Sequence, residues 1–296
     1  MRITQGIWHR EALRHLERLQ EALHEVQTRI GTGYRINRPS DDPAALVMAR
    51  RLAQERALRE GYLRHIDFAR GFTEATAGAL DRMLNQLAEL SELATRGASD
   101  GLGPEERRSL AAQARALLQE LVSELNGQHA GWYLFSGTRI HTQPFLDGGG
   151  TYLYQGNGEE LLRDVGPGVT VPLGLPGNRI HDLGGGQTLT GVALGLVAAL
   201  QSGDRAAIQG SIGELARAQE HVRALAVEMG ARLRWLDSLQ ERHLSDIEQL
   251  EALRSRLEDT DYARAASELE RAQTVYTATA KVISWRLPQS LVDYLR

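Results

Sequence analysis

Starting at Ile208, the positions 212, 215, 219, 222, 226, 229, 233, 236, 240, 243, 247, 250, 254 and 257 follow one another by alternating steps of four and three. Eleven of these fifteen residues are apolar, the exceptions being Gln219, Gln240, His243 and Arg254. At 42% hydrophobic residues, chance would place about six apolar side chains there. Only a helix brings such positions onto one stripe, and a continuous one would run for roughly 75 Å, too long to sit alone in a compact globule. His243 reads as a packed or register-setting polar residue on that seam rather than as a ligand.

Similar stripes occupy the other end of the chain. Leu13, Leu16, Leu19, Leu23, Val26 and Ile30 recur at helical spacing until Gly31-Thr32-Gly33 interrupts them. Asp42-Pro43 opens a second helix, because the acid accepts free amide protons of the first turn and proline fits the first helical position. Along it Ile66, Ala69, Thr73, Thr76, Leu80, Met83, Leu87, Leu90 and Ala94 form a coiled-coil seam that should end near Arg96. Pro104 opens a third helix, with Leu110, Ala114, Leu117 and Leu121 on one face and Asn126-Gly127 as its stop. After Glu258-Asp259-Thr260-Asp261 the apolar series shifts frame to Tyr262, Ala265, Leu269, Ala272, Tyr276, Thr279 and Ile283, which predicts a joint between two helices. Leu287-Pro288 should end the last helix and leave Leu291, Val292, Tyr294 and Leu295 as an apolar tail.

Glycine separates these helical ends. Residues 127–186 hold 15 of the 30 glycines, whereas residues 214–296 hold only Gly230, so the middle cannot be helical in the same way. Thr151–Gln155, Glu159–Val165 and Val169–Leu173 read as short strands of a small β-meander, turning at Gly156-Asn157-Gly158 and Gly166-Pro167-Gly168. The expected fold is mainly α: a long antiparallel coiled-coil rod formed by N- and C-terminal helices, with a small central β-rich domain at 140–186.

Chemistry finds few candidates. No cysteine is present, which removes disulfides, thiolate metal sites and cysteine nucleophiles. The nine histidines never form the i, i+4 pair with a glutamate of a helical zinc site, and no metal or cofactor is expected. Gly184-Gly185-Gly186 precedes a helix from Thr188 to Leu200, but Lys281 is the single lysine of the chain, so a linker is favoured over a phosphate cradle. Asp41-Asp42 reads as a capping pair rather than as acid-base carboxylates. Gly31-Thr32-Gly33 lacks the strand and third glycine of a dinucleotide site, and no Gly-x-Ser-x-Gly occurs. No catalytic residue and no enzyme activity is expected. With 34 basic against 38 acidic side chains the net charge is −4, which disfavours nucleic acid as a partner. No apolar run reaches the ~18 residues of a membrane span, and the first twenty residues show no apolar block of a cleaved signal. The protein is therefore expected to leave the cell, if it does, by another route.

Several motifs together resemble the bacterial flagellin family. They are the opening MRIT, the stretch from Gly31 to Ala45 (GTGYRINRPSDDPAA), Gly131 to Thr138 (GWYLFSGT) with Pro144-Phe145, Glu258 to Tyr262 (EDTDY), and Leu287 to Leu291 (LPQSL). Within that family, PSDDP and YLFSGT are similar to the members that join hook to filament.

The resemblance implies a structural subunit of the flagellum at the hook-filament junction, a mechanical adaptor without catalysis. It implies self-association in a helical ring, contact with a neighbouring hook-associated protein and with filament flagellin, and secretion through the flagellar type III channel with an export chaperone at the C-terminal region. The expected divisions are 1–40 (inner-tube helix and turn), 41–139 (rod helices), 140–186 (β-rich insert), 187–258 (C-terminal rod helix) and 259–296 (inner-tube helix). Helix pairing is expected to set Leu13, Leu16, Leu23 and Ile30 against Tyr262, Leu269, Tyr276 and Ile283. Asn37, Pro39, Asp41, Asp42 and Pro43 are expected to form the turn between rod segments. Filament flagellin is the alternative reading, and a secreted coiled-coil adhesin or tether acting through the β insert a more remote one.

Overall fold

The computed structural model describes residues 2–286, with side chains described from residue 10 to residue 285. The expected stop at Leu287-Pro288 and the tail from Leu291 to Leu295 lie outside the described residues. Seven helices carry the described chain: α1 (Arg2–Thr32), α2 (Pro43–Gly97), α3 (Pro104–Leu125), α4 (Gly177–His181), α5 (Leu189–Ser202), α6 (Arg205–Glu258) and α7 (Tyr262–Arg286). Their ends follow local chemistry. Pro43 and Pro104 stand at first helical positions, the Glu106 carboxylate accepts from Gly103 N at 2.8 Å ahead of α3, and the Thr188 hydroxyl accepts from Gly191 N at 3.1 Å ahead of α5.

Two compact units divide the described chain: residues 59–245 form one, and residues 2–58 with 246–286 form the other. In the first unit, all nine predicted seam residues of α2, from Ile66 to Ala94, are fully buried. Opposite them on α6 lie Ile208, Ser211, Leu215, Ala218, Val222, Leu225, Met229, Leu236, Leu239 and His243. Six of these ten, Ile208, Leu215, Val222, Met229, Leu236 and His243, belong to the series read from the sequence; the other four, Ser211, Ala218, Leu225 and Leu239, each stand one residue before a predicted member. Ile212, Gln219, Ala226, Leu233 and Gln240 are half-buried at the margin. The stripe is three positions wide per heptad because α6 covers both helices and β-hairpins.

Helices α2 and α6 run antiparallel: Ser91 meets Gln219 at 3.2 Å, Arg70 meets Asp237 at 3.4 Å, and Tyr62 stacks on His243 with ring centroids 5.6 Å apart. Helices α3 and α5 pack on each other, burying Leu110, Ala114, Leu118 and Leu121 on one and Leu189, Val192, Leu196 and Leu200 on the other.

The glycine-rich middle departs from the expected meander. It consists of separate antiparallel pairs: β1 (Gln128–His129) with β2 (Trp132–Tyr133), β3 (Phe145–Asp147) with β4 (Tyr152–Tyr154), β5 (Leu161–Gly166) with β6 (Val169–Leu173), and β7 (Asp182–Gly184) with β8 (Gln187–Thr188). The turn at Gly166-Pro167-Gly168 joins β5 to β6 as predicted. Gly156-Asn157-Gly158 is not a hairpin turn, since β4 pairs back onto β3. Four two-stranded ladders cannot stand alone; each leans on the helices. On β5, the Asp164 carbonyl lies 2.8 Å from His65 Nδ1, the Val165 carbonyl lies 2.8 Å from His243 Nε2, and the Arg163 guanidinium sits 5.0 Å from the Phe68 ring centroid.

The segment Leu134-Phe135-Ser136 is the anchor of this region and is buried. Phe135 O accepts from Tyr154 Oη at 3.0 Å and from Gly177 N at 2.8 Å, tying the β3–β4 pair and α4 to one carbonyl. Ser136 O accepts from Asn157 N at 3.3 Å.

The second unit contains α1, the first turns of α2, the last turns of α6, and α7. Helices α1 and α7 pack together, with Val26, Ala265 and Ile283 buried between 3% and 8% exposure. The end of α1 meets the start of α7, so the two are antiparallel: Arg29 pairs with Glu268 at 3.3 Å.

Candidate functional site

With no catalytic constellation to build from, the candidate site is the place in the second unit where both terminal helices are joined to their neighbours. The connection between α1 and α2 is shaped by short polar side chains bonding their own backbone. Asp41 N donates to Arg38 O at 3.0 Å, closing a β-turn whose second position is Pro39, the place where a fixed φ near −65° is favoured. The Asp41 carboxylate accepts from Asn37 N at 2.9 Å and Arg38 N at 2.8 Å, and Asn37 Nδ2 donates to Tyr34 O at 2.7 Å. Asp42 Oδ1 accepts from Ala45 N at 3.0 Å, two residues beyond Pro43 at the start of α2.

These bonds hold both carboxyls below their ordinary range. For Asp41 the main cause is the Arg38 amide, followed by that of Asn37; for Asp42 it is the Ala45 amide, with the Arg35 guanidinium adding to it.

A parallel construction joins α6 to α7. Asp261 Oδ1 accepts from Arg264 N at 3.1 Å and so caps α7 as Asp42 caps α2. The two connections are hydrogen-bonded to each other. Tyr34 and Asp259 form an antiparallel bridge, Arg35 N donates to Glu258 O at 2.6 Å, and Thr260 N donates to Gly33 O at 2.8 Å. Arg35 Nη2 also donates to Leu257 O at 2.8 Å while its guanidinium lies 3.3 Å from Asp42, and Thr260 Oγ1 donates to Arg29 O at 3.3 Å. The last carbonyls of α6, which have no partner inside their helix, are thus satisfied by the turn after α1. Two open clefts of about 420 and 390 Å³ flank Arg29 and Arg35.

Of the residues predicted to pair the terminal helices, Leu16, Leu23, Ile30, Leu269 and Tyr276 are half-buried and Ile283 is buried. Leu13 and Tyr262 are exposed, at 44% and 59%. Leu13 lies beside Ala12, which takes the more covered position, and the Tyr262 hydroxyl lies against Gly33 at the end of α1. Asn37, Pro39, Asp41 and Asp42 lie in the connection between α1 and α2, whereas Pro43 is the first residue of α2. Sequence reasoning passed over Arg35 and Thr260, although both stand in quoted motifs. The signal was a cation and a hydroxyl beside a helix end, where free carbonyls call for donors.

Among the described residues no group of three or more His, Asp or Glu is placed to hold a metal ion, and no helix is long and apolar enough to cross a membrane. Residues 4–139 match the bacterial flagellin N-terminal helical region. The chain is 25% identical over 183 residues to flagellar hook-associated protein 3 of Escherichia coli, and 24% identical over 183 residues to that of Salmonella typhimurium. Each match covers 62% of this chain and 57% of the relative, so the chain spans little more than half the length of the curated relatives it matches. The solved structure of the flagellar junction protein FlgL from Legionella pneumophila shares the fold, with a TM-score of 0.61 at 16% identity, covering 72% of this chain and 100% of that one. By family over residues 4–139 and by fold beyond them, the chain is similar to the bacterial flagellins and, among its curated relatives, to flagellar hook-associated protein 3.

Proposed function

We propose that this chain is a structural subunit of the bacterial flagellum that joins hook to filament, a mechanical adaptor rather than an enzyme. The observation that carries the reading is the double joint, where the turn after α1 and the turn before α7 are bonded to one another by four hydrogen bonds. Such a joint makes the N- and C-terminal helices one pair, so load on either is passed to both. Leu13, Leu16, Leu23 and Ile30, with Tyr262, Leu269, Tyr276 and Ile283, are the assembly residues of that pair. The exposed Leu13 and Tyr262 are available to further subunits.

The partners are further copies in a helical ring, a neighbouring hook-associated protein, filament flagellin, and an export chaperone at the C-terminal region during secretion. The divisions 1–40, 41–139, 140–186, 187–258 and 259–296 are the functional segments of that subunit. A chain lacking residues 262–296 should remain soluble yet fail to join filament to hook. Normal filaments in cells carrying only that chain would refute the proposal. A filament flagellin is the other reading, and labelled antibody distinguishes them: a single band at the distal edge of the hook, or label along the whole filament.

A further inference from the structure

Two Asn-Gly steps occur in the chain, at Asn126-Gly127 and Asn157-Gly158, and the structure treats them differently. Asn126 holds the backbone of Phe145 with both ends of its amide, accepting from Phe145 N at 2.9 Å and donating to Phe145 O at 3.0 Å. The nitrogen that follows it is engaged as well, since Gly127 N donates to Glu124 O at 2.9 Å. Asn157 holds Thr138 in a similar way, with Oδ1 accepting from Thr138 N at 2.8 Å and Nδ2 donating to Thr138 Oγ1 at 2.6 Å and to Glu159 Oε2 at 3.3 Å. Gly158, by contrast, is exposed, and its backbone nitrogen donates to no acceptor among the described residues.

The surroundings of Asn157 are built closely. Gly137 has φ +67°, and a β-carbon there would overlap Asn157 Oδ1 and the carbonyl oxygens of Asn157 and Glu159. Only glycine lets Thr138 reach the asparagine amide. The Ser136-Gly137-Thr138 run, otherwise unexplained by the helical joint, is thereby accounted for.

We propose that Asn157 is a site of spontaneous deamidation promoted by Thr138. In the first step Gly158 N gives its proton to solvent and forms a bond to Asn157 Cγ. The negative charge that develops on Oδ1 is met by the Thr138 N–H already 2.8 Å away, the kind of preorganised donor that stabilises a tetrahedral intermediate. Next the bond from Cγ to Nδ2 breaks. Nδ2, by then an amine, takes a proton from the Thr138 hydroxyl in contact with it, and leaves as ammonia; solvent restores the hydroxyl proton. The product is a succinimide, and addition of one water opens it to aspartate or isoaspartate. The net change is one amide and one water converted to one carboxylic acid and one ammonia. At Asn126 the same attack is hindered, because its nucleophile is held at a helix end and half-buried. The product places a carboxylate beside Glu159, so a subunit that has stood long enough carries an altered turn next to the Gly137-Thr138 backbone.

The test follows the full-length chain at mildly alkaline pH by peptide mapping, reading the gain of about one dalton and the isoaspartate content at each asparagine. Asn157 should convert several-fold faster than Asn126 in the folded chain, and faster folded than in urea, whereas Asn126 should be slower folded than in urea. Thr138→Val should slow conversion at Asn157 several-fold and leave Asn126 unchanged. A folded-state rate at Asn157 no greater than the rate in urea overturns the proposal, as does an undiminished rate in Thr138→Val. If that variant does not fold, the comparison of folded and denatured parent chains decides alone.

Discussion

The same chemical change, glycine to alanine, should have opposite signs at two places in the unit formed by residues 59–245. Gly174 follows β6 with φ +68°, and a β-carbon on it would stand 2.6 Å from Phe72 Cε1 and 2.7 Å from Leu134 O. Neither neighbour can retreat, because Phe72 is 2% exposed and Leu134 is 4% exposed. A left-handed alanine costs about 1–2 kcal/mol and overpacking a buried ring about 1–3 kcal/mol, so Gly174→Ala should lose about 2–5 kcal/mol. The carbonyl of Gly174 also accepts from Arg232 Nη1 at 2.7 Å, and that bond would be disturbed by the same shift. For a unit of this size each kcal/mol moves Tm by about 2–4 °C, so a fall of roughly 4–20 °C is expected. Gly195 lies inside α5, and a β-carbon there meets nothing within 4 Å. Gly195→Ala should gain up to about 1 kcal/mol from helix propensity. Thermal melting by far-ultraviolet circular dichroism, with urea unfolding beside it, reads both. A Gly174→Ala chain that melts with the parent would show that the close approach is not real and refute the reasoning.

Other perturbations reach other parts. Leu87 is fully buried on the α2 seam, so Leu87→Ala should cost about 2–5 kcal/mol in urea unfolding. His243→Ala removes the donor to Val165 O and the ring stacked on Tyr62, which should cost about 1–3 kcal/mol; amide exchange should quicken in β5 and β6 before it does in α3 and α5. The depressed carboxyls of Asp41 and Asp42 give the turn a pH dependence of known sign. Their contribution is fully present above the ordinary carboxylate value of 3.8 and is lost as pH falls below it through the folded values. Carboxyl-carbon titration by NMR should place both midpoints below 3.8, and Asp41→Asn should remove one of them without moving the other above that value.

The helices were legible because their signals are local. Pro43 and Pro104 start helices whatever lies around them, and a stripe such as Ile66 to Ala94 can face only one way once the helix forms. The phase of the α6 seam was harder. Ile212, Ala226 and Leu233 are as apolar as many buried residues, yet the buried alternates are Ser211, Ala218, Leu225 and Leu239, selected by what α6 meets. Small side chains such as Ser211 and Ala218 fit a close approach that hydropathy does not register.

The hairpins failed at one point for a similar reason. Asn157-Gly158 has the composition of a two-residue turn, but the asparagine amide finds Thr138 nineteen residues away, and β4 returns to β3 across the glycines at 148–150. A distant partner outweighed a local preference. In the candidate site, Asp42 as a cap and Pro39 in the turn follow from sequence rules. The bonds from Arg35 to Leu257 and from Thr260 to Arg29 span more than 220 residues, and no local pattern announces them.

That separation sets an order of events when the chain folds. Drawing together two points 231 residues apart in a free chain costs roughly 5 kcal/mol in loop entropy, about what the hydrogen bonds of the joint return. Within the unit formed by residues 59–245, Tyr62 and His243 are already in contact, so once that unit is built the remaining closure involves only short tails on either side. The internal unit acts as a splint, and the terminal pair is the last part to close. Whichever end of the chain emerges first has to wait for the other, and a chain stopped at residue 258 should show amides near Arg29 and Gly33 exchanging freely while those of α3 stay protected.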